Sequence, residues 1–387
     1  MNSKIKSFIL PIIFISALLF SILFESKLPL RFEQIAYALS LTIKDLLIFF
    51  LPFVIFSLVF SSISRLGAKA MKYIIIIIPL ICCSNFMNTM LSYATSNIFL
   101  RGDWNLSNVT QQDSNLIPAF TIQIKQLVSN DIALFSGVIL GLTFGILKQD
   151  ISEKISRKLD WFAKLFFKCL LPIMPLFIIG TTLKLQADGI LSAIIEKYLP
   201  VLLTFIISAY GLIITELLIL SRLRIKKVIG YIKNILPAIV TAFGSMSSAA
   251  ALPLSIKAAE QNVNEKINAG IIIPSTVNIH LVGDCFFIPM MALTVMMSFG
   301  MGMPSIGTYI VFAFHFMLAK FAVAAIPGGG VLVMLPIMQN YLGLNADMLA
   351  LVTALYILFD PIITSCNVAG NGTMAIIFDR IVGKLKD

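Results

Sequence analysis

The chain has 387 residues, of which 58% are hydrophobic and 12% are charged, and its formal net charge at pH 7 is +10. A soluble domain is roughly a quarter charged and less than half apolar, so this composition excludes a water-soluble globule and predicts a membrane protein with many spans. A positive charge of this size in such a protein indicates basic loops on the cytoplasmic side rather than a nucleic-acid interface.

The first apolar run follows Lys4 and Lys6 and extends over residues 8–24. A cleaved signal peptide has the same order of charge, but its apolar core is shorter and ends at a small-x-small cleavage site. Here the run ends in Phe-Glu-Ser, which favours an uncleaved first span.

Six apolar runs are long enough to cross a bilayer, which takes about 20 residues in a helix. They lie near residues 6–24, 36–64, 72–99, 131–148, 160–184 and 190–220. Lys and Arg cluster after the second, fourth and sixth runs and are sparser after the others, so the positive-inside rule predicts six spans and a cytoplasmic N-terminus. The polar segment 100–130 becomes an external loop.

After Gly230 the apolar segments are interrupted by polar and small residues. The interruptions lie at 244–253, 272–287, 326–330 and 360–373. Broken helices persist in lipid only where they line a cavity enclosed by protein or filled with water, and paired interruptions of this kind are typical of a secondary-transporter site. Helix packing through small residues is the alternative. It does not account for Asp360 beside Asn367 and Asn371.

Four ordered motifs in this region resemble the transport domain of the dicarboxylate/amino acid:cation symporter family, the glutamate transporter homologues. They are a Ser-rich segment before Leu252-Pro253, Thr-Val-Asn at 276–278, Pro-Gly-Gly-Gly at 327–330, and Asp-x-x-x-Thr-x-x-Asn at 360–367. The preceding spans and Ser-Arg-Leu-Gly at 64–67 also fit, so the resemblance covers nearly the whole chain. It implies an all-α membrane protein with eight transmembrane helices plus two re-entrant helical hairpins, an inverted-repeat elevator-type transporter that forms a homotrimer in the cell (inner) membrane.

The resemblance also implies a division of the chain into two parts. Residues 1–229 would hold the six N-terminal spans, comprising the scaffold and trimerisation helices and spans 3 and 6 of the transport domain. Residues 230–387 would form the C-terminal transport core. Its elements are expected at about 230–258 for hairpin 1, about 265–297 for helix 7, about 305–342 for hairpin 2 and about 346–380 for helix 8.

The resemblance assigns substrate roles to residues of the last helix and of the hairpin tips. Asp360 would hold the substrate ammonium beside Thr364, and Asn367 would hold the α-carboxylate. A buried ammonium needs a carboxylate partner, so this retained triad predicts an α-amino acid. The expected substrate residues at the hairpin tips are Ser247, Ser248, Pro327, Gly328 and Gly329.

Two positions that are basic in family members carrying acidic amino acids are not basic here. They fall on Ile363 and Met246. A buried side-chain carboxylate without a cation is costly, so the sequence predicts a neutral substrate. The alternative is a sodium- or proton-coupled symporter of glutamate, aspartate or a C4-dicarboxylate, with Lys320 as the only nearby cation.

The family's sodium-binding carboxylates are replaced as well. Its Asn-Met-Asp-Gly-Thr motif retains Asn278, but the aspartate falls on His280 and a second sodium aspartate falls on Asn371. Sodium prefers oxygen ligands with a negative charge nearby, so these substitutions predict that two sodium sites are lost. A third site, built from main-chain oxygens near Thr276, stays undecided.

The family's hydroxyl ligands in the third span fall on Ile77, Leu80 and Ile81, by ungapped spacing from Ser-Arg-Leu-Gly. These side chains offer sodium no oxygen, which supports the same conclusion.

His280 has two interpretations. Either it takes up a proton and makes the carrier proton-coupled, or it stays neutral, bonded to Asn278 or Asp284, and fills the vacant site. Asp284 lies four residues further on, so a continuous helix would place the two side chains on one face. No cofactor is expected beyond one sodium ion or a coupled proton.

Two other functions remain open beside the neutral amino acid symporter and its acidic alternative: an uncoupled exchanger and a substrate sensor. Concentrative uptake distinguishes both from a symporter, and an enzyme is the remaining class to weigh. The sequence contains no H-E-x-x-H and no Walker A motif, and its five cysteines form no C-x-x-C. We therefore predict neither catalysis, ATP-driven transport, a metal site nor a disulfide framework.

Overall fold

The computed structural model describes residues 28–69, 73–99, 116–122, 130–170, 172–187, 191–323 and 328–385, with single positions between 16 and 23 and between 124 and 128. The regular structure of this part of the chain is entirely helical. The predicted first span lies almost wholly outside the described residues, as do residues 100–115 of the predicted external loop.

The helices before residue 225 are α1 (Leu30–Lys69), α2 (Ile74–Phe99), α3 (Asn130–Leu147), α4 (Gln149–Leu170), α5 (Met174–Ala187) and α6 (Leu191–Leu220). Those after it are α7 (Ile225–Ser245), α8 (Ser248–Asn262), α9 (Lys266–Thr276), α10 (Val282–Ser298), α11 (Ile306–Ala319), α12 (Gly329–Leu342) and α13 (Ala346–Lys384). A single turn of 3-10 helix, Lys320–Ala322, follows α11.

Four helices of the described chain are long and apolar enough to cross a membrane. These stretches are Ile75–Phe99 in α2, Tyr198–Leu220 in α6, Ile225–Ser245 in α7 and all of α13. Apolar side chains such as Ile207 and Ile219 of α6 are largely exposed, as expected for surfaces that face lipid. The shorter apolar helices include α10, α11 and α12.

The apolar run near 160–184 does not form the single helix that the sequence predicted. Helix α4 ends at Leu170 and α5 begins at Met174, on either side of Pro172, which lacks the N–H needed to continue a helix. α4 is amphipathic, with apolar and charged residues on opposite faces, and its Trp161 is exposed. The apolar run near 160–184 thus spans the end of an amphipathic helix and a shorter apolar helix.

Helices α10 and α13 form the centre of the C-terminal half. Every residue of α10 except Met297 is buried, and α10 packs against α13, α2 and α6. A helix apolar on all sides is typical of an element surrounded by protein.

Two pairs of helices pack beside this centre. α7 and α8 lie along each other and are joined by Met246 and Ser247. Met246 adopts a left-handed conformation with φ 50°, and the Ser247 hydroxyl accepts a hydrogen bond from the Ala250 N–H to cap α8. α11 and α12 also pack against each other, and Gly328, with φ 73°, precedes the first turn of α12.

Candidate functional site

The site contains a break between α9 and α10. α9 ends at Thr276 and α10 begins at Val282, so the helix expected at about 265–297 is interrupted by five non-helical residues. The Asn85 side chain of α2 satisfies backbone groups freed by this break. Its Nδ2 donates to the Ile279 carbonyl at 2.7 Å, and its Oδ1 accepts from the Leu281 N–H at 3.3 Å.

The break separates His280 from Asp284, so the predicted shared helical face is wrong. His280 is buried, with Nδ1 3.0 Å from the Asn371 Oδ1 and Nε2 2.9 Å from the Ser84 Oγ. A neutral imidazole fits both contacts if Nδ1–H donates to Asn371 and Nε2 accepts from Ser84. In the structure, then, the partners of His280 are Ser84 and Asn371 rather than Asn278 or Asp284.

Sequence reasoning missed the part that α2 plays here. The ungapped spacing pointed to Ile77, Leu80 and Ile81, whereas the residues that contact the broken segment are Ser84 and Asn85. The polar residues Ser84, Asn88 and Ser92 recur every fourth position of an apolar helix. That periodicity is the signal that identifies the polar face, because side chains four apart share one side of a helix.

Asp284 is held by three donors from two other elements, α13 and the 3-10 turn. Its Oδ1 accepts from the Tyr356 hydroxyl at 3.1 Å and from the Asn367 Nδ2 at 3.0 Å, and its Oδ2 accepts from the Lys320 Nζ at 3.0 Å. The Asp284 N–H donates in return to the Asn367 Oδ1 at 3.2 Å. Asp284 and Lys320 are 1% and 0% exposed, so this is a fully buried ion pair.

Asp360 lies on α13, one turn before Thr364. Its Oδ1 accepts from the Thr364 hydroxyl at 2.6 Å, and its Oδ2 accepts from the Gly328 N–H at 2.9 Å. This carboxylate therefore ties the start of α12 to the centre of α13. Within the described chain both of its hydrogen-bond partners are neutral donors.

A small cavity lies where these groups meet. Its volume is ≈ 20 Å³, enough for about one water molecule. Six residues named from the sequence line it: Ser248, Asn278, Asp284, Asp360, Thr364 and Asn367. Met246 and Gly330, the last residue of the 327–330 motif, line it too, as do Val323 and Tyr356, which sequence reasoning had not considered.

The remaining predicted site residues do not line this cavity in the part of the chain that the structure describes. Ile363 is buried in the core. Thr276 donates its hydroxyl hydrogen to the Ile272 carbonyl. Gly328 reaches Asp360 through its N–H, and Gly329 begins α12. Pro327 lies outside the described residues.

Comparison with known proteins agrees with this architecture. The profile of the sodium:dicarboxylate symporter family matches residues 8–381. The chain belongs to this family. Membership confirms the predicted family, which is one of transporters and not of enzymes, and the membrane-length helices of the described chain are consistent with it.

Two relatives cover a large part of the chain at low identity. A Caenorhabditis elegans protein named as a sodium-dependent excitatory amino acid transporter is 23% identical over 276 residues, which are 68% of this chain and 54% of that protein. Mouse excitatory amino acid transporter 3 is 25% identical over 272 residues, which are 68% of this chain and 51% of that protein. The aligned region thus spans about half the length of each relative.

Proposed function

We propose that this symporter-family member is a secondary transporter of a small neutral amino acid, with proton coupling in place of two of the family's sodium sites. The observation that carries the proposal is the charge of the cavity. Two carboxylates line it, Asp284 and Asp360. Lys320 neutralises the first, which leaves a single negative charge at Asp360.

A substrate ammonium is the group that this charge would bind. The contacts of Asp360 with Gly328 and Thr364 orient its oxygens, but neither partner brings a positive charge. A buried carboxylate without a counter-charge is unfavourable, and an ammonium that reaches it from a substrate gains a charge-assisted hydrogen bond. This contact is to the amino group shared by all α-amino acids.

The substrate carboxylate would lie toward Asn367 and Ser248, which also line the cavity. An amide nitrogen carries two hydrogens, and Asn367 uses one of them on Asp284. The second is available to an incoming carboxylate. Asn367 would then join the substrate to the buried ion pair.

The substrate side chain is proposed to be uncharged. No Lys, Arg or His lines the cavity in the part of the chain that the structure describes. Met246 lines it and Ile363 is buried in the neighbouring core, at the two positions where the resemblance implies arginine in carriers of acidic amino acids. Since Lys320 is already bound to Asp284, a second substrate carboxylate would lack a cation.

His280 is the proposed coupling group because its two partners suit both protonation states. The Ser84 hydroxyl can donate to a neutral imidazole nitrogen or accept from a protonated one, while the Asn371 oxygen accepts from Nδ1–H in either case. Asn371 is uncharged, so it can be buried without a bound cation, unlike an aspartate at the same position. A proton on His280 would thus take the part that a bound cation has in a sodium-coupled carrier.

Uptake into liposomes that contain the purified protein tests the proposal. We expect a neutral amino acid to accumulate under an inward proton gradient and not under an inward sodium gradient alone. His280→Asn should abolish accumulation but keep exchange of internal for external substrate. His315→Asn alters the other histidine of the chain, which bonds to the Val311 carbonyl, and serves as the matched control.

Other outcomes are equally informative. Sodium-driven accumulation of glutamate or aspartate would contradict both the substrate class and the coupling ion. Exchange without accumulation under either gradient would identify an uncoupled exchanger, and binding without exchange would identify a sensor.

For the whole protein we propose a homotrimer in the inner membrane with a cytoplasmic N-terminus. Residues 1–229 would supply the scaffold and trimerisation helices, and residues 230–387 the moving transport core with two re-entrant hairpins. Native mass spectrometry in detergent should give the mass of three chains. A monomer mass would contradict this arrangement.

A further inference from the structure

Lys320 is the most deeply buried cation in the described chain, with an exposed fraction of 0%. It lies on the 3-10 turn at the end of α11, four residues before the segment that connects to α12 and Gly328. Its Nζ contacts the Asp284 Oδ2 at 3.0 Å and lies 4.4 Å from the centre of the Phe316 ring. The ammonium is thus fixed on one side by a carboxylate and on the other by an aromatic face.

Folding stability alone does not explain the buried pair of Lys320 and Asp284. Removing two charges from water costs about as much as their attraction returns, so apolar residues of similar volume stabilise a buried position as well or better. Charged residues within membrane-spanning regions therefore usually have a functional role. Here the pair lies at the wall of the cavity, because Asp284 lines it directly.

Asp284 has one carboxylate oxygen, Oδ2, that faces a cation. The Tyr356 hydroxyl and the Asn367 amide fix the Oδ1 atom, and the Oδ2 atom faces the Lys320 ammonium. Carboxylate and hydroxyl oxygens are the groups that a hard monovalent cation prefers. An ammonium satisfies the same carboxylate without an ion from solution.

Gly330, in the first turn of α12, lies against the same carboxylate. A side chain at this position would collide with the Asp284 Oδ2 and with the Tyr356 hydroxyl. Lys320, at the end of α11, and Gly330, at the start of α12, therefore both lie against Asp284.

We propose that the Lys320 ammonium is a tethered cation, which occupies a monovalent-cation site at Asp284 and holds the α11–α12 pair on α10 without an ion from solution. Removing the ammonium would expose a carboxylate site that sodium can occupy. One consequence rests on the proposed transport function: the carrier would bind no cation from solution at Asp284 during transport. The cation chemistry itself requires no assumption about the substrate.

Thermal unfolding of the purified protein in sodium chloride and in choline chloride of equal concentration tests the tethered cation. Lys320→Met removes the charge and retains an unbranched chain of similar length. In this variant we expect sodium to raise the Tm, relative to choline, by about 2 °C more than in the unaltered protein, because a ligand that binds only the folded state stabilises it. The gain should disappear in Lys320→Met combined with Asp284→Asn.

Lys266→Met is the matched control, because Lys266 is exposed at the start of α9. It should show the same sodium response as the unaltered protein. An equal sodium response in the unaltered protein, in Lys320→Met and in the double variant would overturn the proposal.

A second comparison applies if Lys320→Met does not fold. Asp284→Asn alone leaves a buried ammonium unpaired, so the double variant, which buries no charge at this position, should melt at a higher temperature. A double variant that melts at or below Asp284→Asn would overturn the proposal. Neither comparison uses substrate, so failure of the transport assay leaves this test intact.

Discussion

Replacing Asp360 by Asn should remove substrate binding while leaving the fold in place. The asparagine oxygen can accept from the Gly328 N–H, and its amide can donate to the Thr364 hydroxyl oxygen, so both local contacts have a replacement. What it cannot supply is a counter-charge for an ammonium. Breaking a buried pair of charges costs about 3–5 kcal/mol. At about 1.4 kcal/mol for each factor of ten, the Kd of the substrate should rise at least about a hundredfold.

Isothermal titration of the purified protein with the transported amino acid measures this change directly. Asp347→Asn is the control, because Asp347 is an exposed aspartate in the first turn of the same helix and should leave the Kd unchanged. The Tm of Asp360→Asn should stay within a few degrees of the unaltered protein. An unchanged Kd in a folded Asp360→Asn variant would refute the reasoning and show that the substrate amino group is not bound there.

Three further predictions concern substrate choice, the packing of α12 against Asp284, and stability. Ile363→Arg should supply the missing cation and raise the ratio of acidic to neutral amino acid uptake at least about tenfold, whereas Ile363→Met should leave that ratio unchanged. Gly330→Ala should reduce uptake strongly, since the added methyl group collides with Asp284; equal uptake would show that α12 can shift at no cost. Asp379→Ala should lower the Tm, because its carboxylate accepts from four N–H groups within residues 264–268, and each charged hydrogen bond contributes about 1.5–3 kcal/mol. An unchanged melting curve for Asp379→Ala would contradict this estimate.

The family and the general position of the cavity could be predicted because short local motifs carry them. Asp360, Thr364 and Asn367 are spaced so that one helical face presents all three, and no distant contact is needed to see it. The Ser-rich and Gly-rich tips are likewise local signals. Six of the site residues predicted from the sequence line one cavity.

The position of the break between α9 and α10 was not predictable from the same kind of pattern. Polar and small residues at 272–287 indicated an interruption, but the groups that stabilise the break belong to Asn85, 194 residues earlier in the chain. One helix over about 265–297 was therefore predicted, and with it the wrong pairing of His280 with Asp284. Tertiary contacts decided the local structure.

The partner of Lys320 was missed for a similar reason. The sequence named Lys320 only as the nearby cation for the alternative, an acidic substrate. The structure pairs it with Asp284, which lies 36 residues away on another helix. Charge pairing between helices depends on how they pack, and a single sequence does not report that.

The proposed cavity accepts one ammonium and no side-chain carboxylate. Counterflow into liposomes without any ion gradient tests it most directly, because it reports substrate class independently of coupling. Liposomes loaded with an unlabelled neutral amino acid should take up the labelled form rapidly, and those loaded with unlabelled glutamate should take up labelled glutamate at least about tenfold more slowly. Glutamate counterflow at an equal or greater rate would contradict the account.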